Sequence, residues 1–338
     1  MIASEDQLLE VMTAPSDQVR EAVACLRGDV VVLGVAGKMG PSLAQLLVRA
    51  GADQEDRRVV GVSRFSDPGL RSELDRVGVT TIQADLLDEE ALAGLPDAPH
   101  VFLMAGFKFG ATGSPSLTWA MNSLLPERVV ERYRDSEIVY VSSGNIYGYT
   151  PVSGPGSSED HPLEPVGEYA QSRLGGERLA LFAAERFGVR LHISRLFYAT
   201  ELRYGIIHDL AWKIREEEEI DLTMGHVNQI WQGDANGYLA RSLALCTSPA
   251  TILNMTGADT LSVRTLCHQL GKRMNREPRF IGKESDEAIL GDASRLFGIL
   301  GPPPTPIEDA VDWVAAWVAA GGRSLGKPTK YESRSGSY

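Results

Sequence analysis

Three cysteines in 338 residues, Cys25, Cys246 and Cys267, are too few and too far apart to staple a small scaffold or to build a zinc site. They read as small core hydrophobes of a protein kept in a reducing compartment. Positive charge is also short: 33 Lys and Arg stand against 45 Asp and Glu, a formal charge of −12. That average repels a polyanion, which argues against nucleic acid as a partner, and the longest like-charge run, Glu216 to Glu219, is acidic. No apolar run approaches the roughly 20 residues a bilayer helix needs, so no membrane span is expected. The six histidines lack the close pairing of metal ligands, and no metal is expected. The opening MIASEDQLLEVM has acids where a secretory leader carries a basic region, which points to the cytoplasm.

The remainder is an ordinary globular mix, 43% apolar and 23% charged, long enough for one large domain or two modest ones. Leu8, Leu9, Val11 and Met12, then Val19, Val23 and Leu26, lie at helical spacing on either side of Pro15. They predict a helical extension over 1–27. Short β-branched runs follow at Val30 to Gly34, Val59 to Ser63, Thr80 to Gln83, His100 to Met104, Ile138 to Ser142 and Arg190 to Ser194. Amphipathic stretches separate them at Pro41 to Arg49, Asp88 to Leu95, Leu117 to Tyr133 and Val166 to Phe187. This alternation predicts an α/β fold with a doubly wound parallel sheet over 28–200. Beyond Leu196 the alternation weakens into helices at Ile206 to Glu218, Asp234 to Cys246, Val263 to Met274 and Ile307 to Ala320, with short strands near Ile220 to Thr223 and Ile252 to Met255. The expectation is a smaller C-terminal substrate-binding cap over 201–328, from which about 226–255 returns in part to the sheet, and a polar tail over 329–338.

Gly34, Gly37 and Gly40, with Lys38 and Met39 between the last two, follow the first strand and open a helix whose first turn holds Pro41. Such glycines let backbone approach a pyrophosphate on the free amides of a helix start. A dinucleotide is therefore expected here. The second strand ends at Ser63 and Arg64 with no acid at the turn to bond a ribose 2′-hydroxyl. Arg64, Ser63 and Lys38 favour NADP over NAD.

The fifth strand delivers Ser142, Ser143 and Asn145 ahead of Tyr147 and Gly148; downstream, Tyr169 and Arg173 are four apart and share a helical face. With the glycine loop, Asp85 and Leu86 after the third strand, Ala105 and Gly106 after the fourth, and Asn122 in the next helix, the chain resembles the NAD(P)-dependent epimerase/dehydratase family of the extended short-chain dehydrogenase/reductase superfamily. The resemblance implies a Rossmann-type fold, Tyr169 as general acid/base, and Ser143 bonding the same substrate oxygen. It further implies Asp85 at the adenine, Leu86, Ala105, Gly106 and Asn122 along the cofactor, and a homodimer through the helices near 117–133 and 166–187. The departure is Arg173 where the family usually has lysine. An arginine supplies charge and can hold ribose hydroxyls but does not release a proton.

In the stretch where relatives often hold a sugar-linked diphosphate, Gly225 to Asp234 contains no arginine or lysine. Asn228, Gln229, Trp231 and Gln232 there suit sugar hydroxyls and ring stacking. Tyr198 and Arg203 are further substrate candidates, Arg203 as a clamp for carboxylate or phosphate. Lys108, in the loop after the fourth strand, is placed to overlook the nicotinamide and to stand in for the missing lysine. These residues predict hydride transfer at a secondary alcohol or ketone of a sugar, sugar acid or nucleotide sugar. The alternative is an NADP-binding sensor or scaffold that lost catalysis at Arg173.

Overall fold

The computed structural model describes residues 2–54, 56–108 and 110–336. Met1, Glu55, Phe109 of the loop after the fourth strand, and Ser337 and Tyr338 of the expected tail lie outside the described residues. Seven strands form one sheet: β1 Val30–Leu33, β2 Val59–Ser63, β3 Val79–Gln83, β4 His100–Leu103, β5 Glu137–Ser143, β6 Arg190–Leu196 and β7 Thr251–Met255. Their order is β7-β6-β5-β4-β1-β2-β3, and every neighbouring pair is parallel. The order reverses between β4 and β1, and that switch point opens a crevice at the strands' carboxyl ends. The sheet is covered on both faces, which is why β1 reads as an unbroken apolar run and why β1 and β4 are buried along their whole length.

Two helices, Glu5–Met12 and Asp17–Ala24, make the N-terminal extension, and Ser4 and Ser16 cap them by accepting from the backbone of Gln7 and Val19. Leu8 and Met12 enter the core of the cap, whereas Val19 and Val23 enter the core of the sheet. The extension therefore ties the two together. The cap core is built mainly by the helices Ile206–Arg215, Val263–Met274 and Ile307–Ala319. The helix Gln232–Ser242 instead lies against the helix Gly40–Ala50, where Gln232 and Asn236 each donate to Ser42 Oγ at 2.8 Å.

The single helix expected over Leu117 to Tyr133 is three pieces: Pro115–Trp119, a wide π turn Ala120–Leu124, and Leu125–Arg132. Pro126 has no N–H to return to the carbonyl four residues back, that of Asn122. Gly176, in the long helix Gly167–Phe187, packs against this carbonyl so closely that a Cβ would stand 1.9 Å from its oxygen. The C-terminal segment crosses the surface as a strap with a partly apolar underside, since Thr329 and Tyr331 are buried.

Candidate active site

The turn after β1 is built as tightly as its glycines suggest. Gly34 has φ +84°, and a Cβ there would lie 2.6 Å from the Ala105 nitrogen; at Gly40 it would lie 2.3 Å from the Val35 oxygen. Gly37 is exposed at the mouth. Only glycine fits the first two positions, and the result is bare backbone facing a cleft of about 370 Å³. Ser63, Arg64, Asp85 and Leu86 line one end of this cleft, Ala105 and Gly106 the other. Gln83 donates to the Arg64 carbonyl at 3.0 Å and so steadies the end of β2, while Asp85 accepts from the Leu87 N–H at 3.0 Å. An elongated cradle of amides with polar groups at its far end fits a dinucleotide: the glycine turn for the pyrophosphate, Ser63, Arg64 and Asp85 for the adenosine half.

At the end of β5 the chain enters a short turn, Gly144–Ile146, capped by Ser143, whose Oγ accepts from the Asn145 N–H at 3.2 Å. Gly144 lies flat on the Phe197 ring, with a Cβ excluded at 2.5 Å. Asn145 is buried and hydrogen-bonds the Tyr198 phenol. Tyr169 stands half-buried in the first turn of the helix Gly167–Phe187. The Lys108 ammonium lies 5.7 Å from the centre of its ring and 5.4 Å from that of Tyr198. This is the cation over the phenols. Removal from water lowers Lys108 to about 8, and raises Tyr198 and Tyr204 above the ordinary tyrosine range.

Arg173 is buried behind this surface. One terminal nitrogen donates to the Val141 carbonyl, the guanidinium lies 5.1 Å from the centre of the Tyr140 ring, and it crowds Gly106, where a Cβ would meet it at 2.9 Å. Its charge therefore sits in the floor beneath Gly106.

Several expected site residues face elsewhere. Lys38 does not reach the adenosine end: its Nζ donates to the Ala199 carbonyl at 2.7 Å and lies 4.4 Å from the centre of the Tyr204 ring, and burial lowers it to about 7. Met39 is buried in the sheet core and offers the cleft no side chain. Asn122 is fully buried and bonds both the N–H and the carbonyl of Phe107, at 2.8 and 2.9 Å, so it positions the loop after β4 and does not contact the cleft. Arg203 is consumed by Glu5 at 2.5 Å and Glu201 at 3.2 Å and ties the extension to the cap, which removes it as an anion clamp. Trp231 packs edge-on against Trp313, ring centres 5.1 Å apart, beside Met12 in a separate cavity. Asn228, Gln229 and Gln232, expected at sugar hydroxyls, are buried and bond the protein itself. In each case burial overrides the local pattern.

Tyr204 lies near both Asp209 and Tyr169, the Asp209 carboxylate acts electrostatically on Lys108, and Lys327 lines the cofactor cleft from the strap. The closeness of Tyr204 to Tyr198 in sequence is a weak signal for the first; nothing in the sequence marks Lys327.

A model of the NAD dependent epimerase/dehydratase family matches residues 30–203. The uncharacterized UDP-glucose epimerase YtcB of Bacillus subtilis is 24% identical over 184 residues, covering 50% of this chain and 55% of that protein, so the match spans little more than half of the relative. The crystal structure of UDP-glucuronic acid 4-epimerase from Bacillus cereus in complex with NAD superposes with a TM-score of 0.72 at 19% identity, covering 86% of this chain and 99% of that one. MoeE5 in complex with UDP-glucose and NAD superposes at 0.70 with 21% identity over 87% and 99%. The Rossmann-type sheet is common to all of these structures. Among the described residues no helix is long and apolar enough to cross a membrane.

Proposed function

Because the chain belongs to the NAD dependent epimerase/dehydratase family, we propose that it is an enzyme moving hydride at a secondary alcohol or ketone carbon of a sugar, sugar acid or nucleotide sugar. The observation that carries this reading is the Lys108 ammonium over the Tyr169 and Tyr198 rings, on the loop that continues from Ala105 and Gly106 of the glycine-lined cleft. Bound in that cleft, a nicotinamide dinucleotide supplies the hydride acceptor and donor. Tyr169 takes the proton from the substrate hydroxyl as hydride leaves its carbon and returns it on the reverse step. Ser143 Oγ holds the same oxygen. Lys108 is the cation beside the Tyr169 ring, 5.7 Å from its centre, while Arg173 is committed to the Val141 carbonyl. Asn145 and Tyr198 hold further hydroxyls. Nucleotide sugars are supported by the relatives, since MoeE5 was solved with UDP-glucose and NAD.

The cofactor reading keeps NADP ahead of NAD. Its support is Arg64, exposed at the end of β2 with Lys327 facing the same cleft; the NAD complexes among the relatives weigh the other way. A homodimer belongs to the same proposal. Trp119, Leu124, Leu179 and Phe182 are exposed on the helices around 115–132 and 167–187, an apolar surface suited to a second copy. A cytoplasmic location is supported by the three free cysteines, Cys25 among them exposed.

The test is incubation of the purified chain with NAD or NADP and a panel of UDP-sugars, uronates and free sugars, with products separated by chromatography. Epimerised, dehydrated or oxidised sugar is the expected outcome. Cofactor binding without conversion across the panel overturns the reading in favour of a sensor or scaffold.

A further inference from the structure

We propose that the C-terminal strap is the outer wall of the dinucleotide site and that Lys327 supplies a cation to a phosphate of the bound dinucleotide. This rests on the reading above, that the cleft takes a dinucleotide.

The loop's own lysine is unavailable to the cleft, because Lys38 turns away to the Ala199 carbonyl. Of the described side chains lining the cleft, Arg64 and Lys327 are the cations and Asp67 and Asp85 the carboxylates. Without Lys327 the charged side chains there sum to −1, a poor receptor for a ligand bearing a pyrophosphate. With it they balance, and the helix amides after Gly37 add their partial positive charge.

The backbone around Lys327 is fixed on both sides, which distinguishes it from an ordinary surface lysine. Leu325 N–H donates to the Arg203 carbonyl at 3.0 Å, and Gly326 turns the chain with φ +63°. Two residues after the lysine, the Thr329 N–H and hydroxyl both donate to Asp209 Oδ2, at 2.7 and 2.6 Å, and Tyr331 is buried in the cap. Lys327 is thus the exposed point of a strap pinned on either side, and it lines the cleft together with the glycine turn. The same anchors, Arg203 and Asp209, belong to the cap. Engaging a phosphate therefore links cofactor occupancy to the element that covers the substrate.

Calorimetric titration of NAD and NADP into the full chain and its Lys327→Ala variant tests this. The expected result is roughly five-fold weaker binding in the variant, near the upper end for one exposed charge pair. Lys327→Arg should stay within about two-fold of the wild type, because a guanidinium also pairs with phosphate. Equal weakening for both cofactors assigns the contact to the pyrophosphate, and weakening for NADP alone assigns it to the 2′-phosphate; each supports a phosphate contact. Unchanged affinity for both cofactors overturns the proposal, as does an equal loss in Lys330→Ala, which removes an exposed lysine beyond the Thr329 anchor. A wild-type chain that binds neither dinucleotide overturns the underlying reading instead. As a second readout, amide exchange over Leu325 to Tyr331 should slow on addition of the tighter cofactor in the wild type and less so in Lys327→Ala.

Discussion

The two ends of the crevice recognise in opposite ways. The glycine turn is a contiguous stretch that works through bare backbone, and its cation, Arg64, stands in water. The proposed reactive end gathers side chains at residues 108, 143, 145, 198 and 204 near Tyr169, and its cation, Lys108, has been stripped of water. A hydrated cation next to a phosphate adds modest affinity. A dehydrated ammonium against a phenol changes what the phenol can do, because the same charge acts through a lower dielectric. On the proposed reading, one end of the crevice holds and the other reacts.

The contrast is broken most sharply by Tyr169→Phe. Turnover should fall at least about a hundred-fold while cofactor affinity stays within about two-fold, measured by steady-state kinetics and calorimetry. Retained turnover would remove the reactive end altogether. Arg203→Gln tests the claim that the cap's arginine is architectural: it leaves the buried Glu201 carboxylate without its cation, which costs about 3 kcal/mol. A lowered denaturation midpoint with KM unchanged is expected, and a raised KM with an unchanged midpoint would return Arg203 to the substrate.

Lys108→Met should slow turnover by roughly ten- to a hundred-fold. It also carries a pH signature. Lys108 is held at about 8, so it is an ammonium below that pH and a neutral amine above it. Activity that depends on the ammonium falls as pH rises through about 8, and this limb should vanish from the variant's profile. At the hydrated end, Arg64→Ala should weaken NADP by roughly five-fold and NAD by less than about two-fold; equal losses would assign Arg64 to groups the cofactors share.

The smallest effect concerns the strap's anchor. Burial lifts Asp209 to about 6 from an ordinary 3.8, so folding takes up a proton between those values. Its contribution to stability is fully present below about pH 4 and is lost as pH rises through about 6. Thermal unfolding followed from pH 4 to 7 should show this slope in the wild type and a shallower one in Asp209→Asn.

Much of the sheet was legible because its signals are local. Four-residue apolar runs such as Val30 to Leu33, buried on both faces, are what a central parallel strand presents. Gly34 and Gly40 are dictated by one tight turn whose partners lie within a few residues or on the adjoining strand. The motif spacing put Ser143 at the end of a strand and Tyr169 early in a long helix, and both stand there, although the ring's surroundings were not legible. The broken helix around Asn122 was written in Pro126, yet the close approach of Gly176 that uses it was not.

By itself, then, the sequence determined the parallel αβ order, the backbone cradle and the family to which the chain belongs, since each depends on near neighbours and on two short periodicities. Only the tertiary structure decided which long side chain serves which end of the crevice. Lysine and arginine reach far and have many rotamers, so their roles follow from what burial places at their tips. Lys38 found the Ala199 carbonyl, Arg203 found Glu5 and Glu201, and Lys108 found two phenols. Lys327 reached the cofactor cleft from the far end of the chain, on a strap whose anchors lie in the cap.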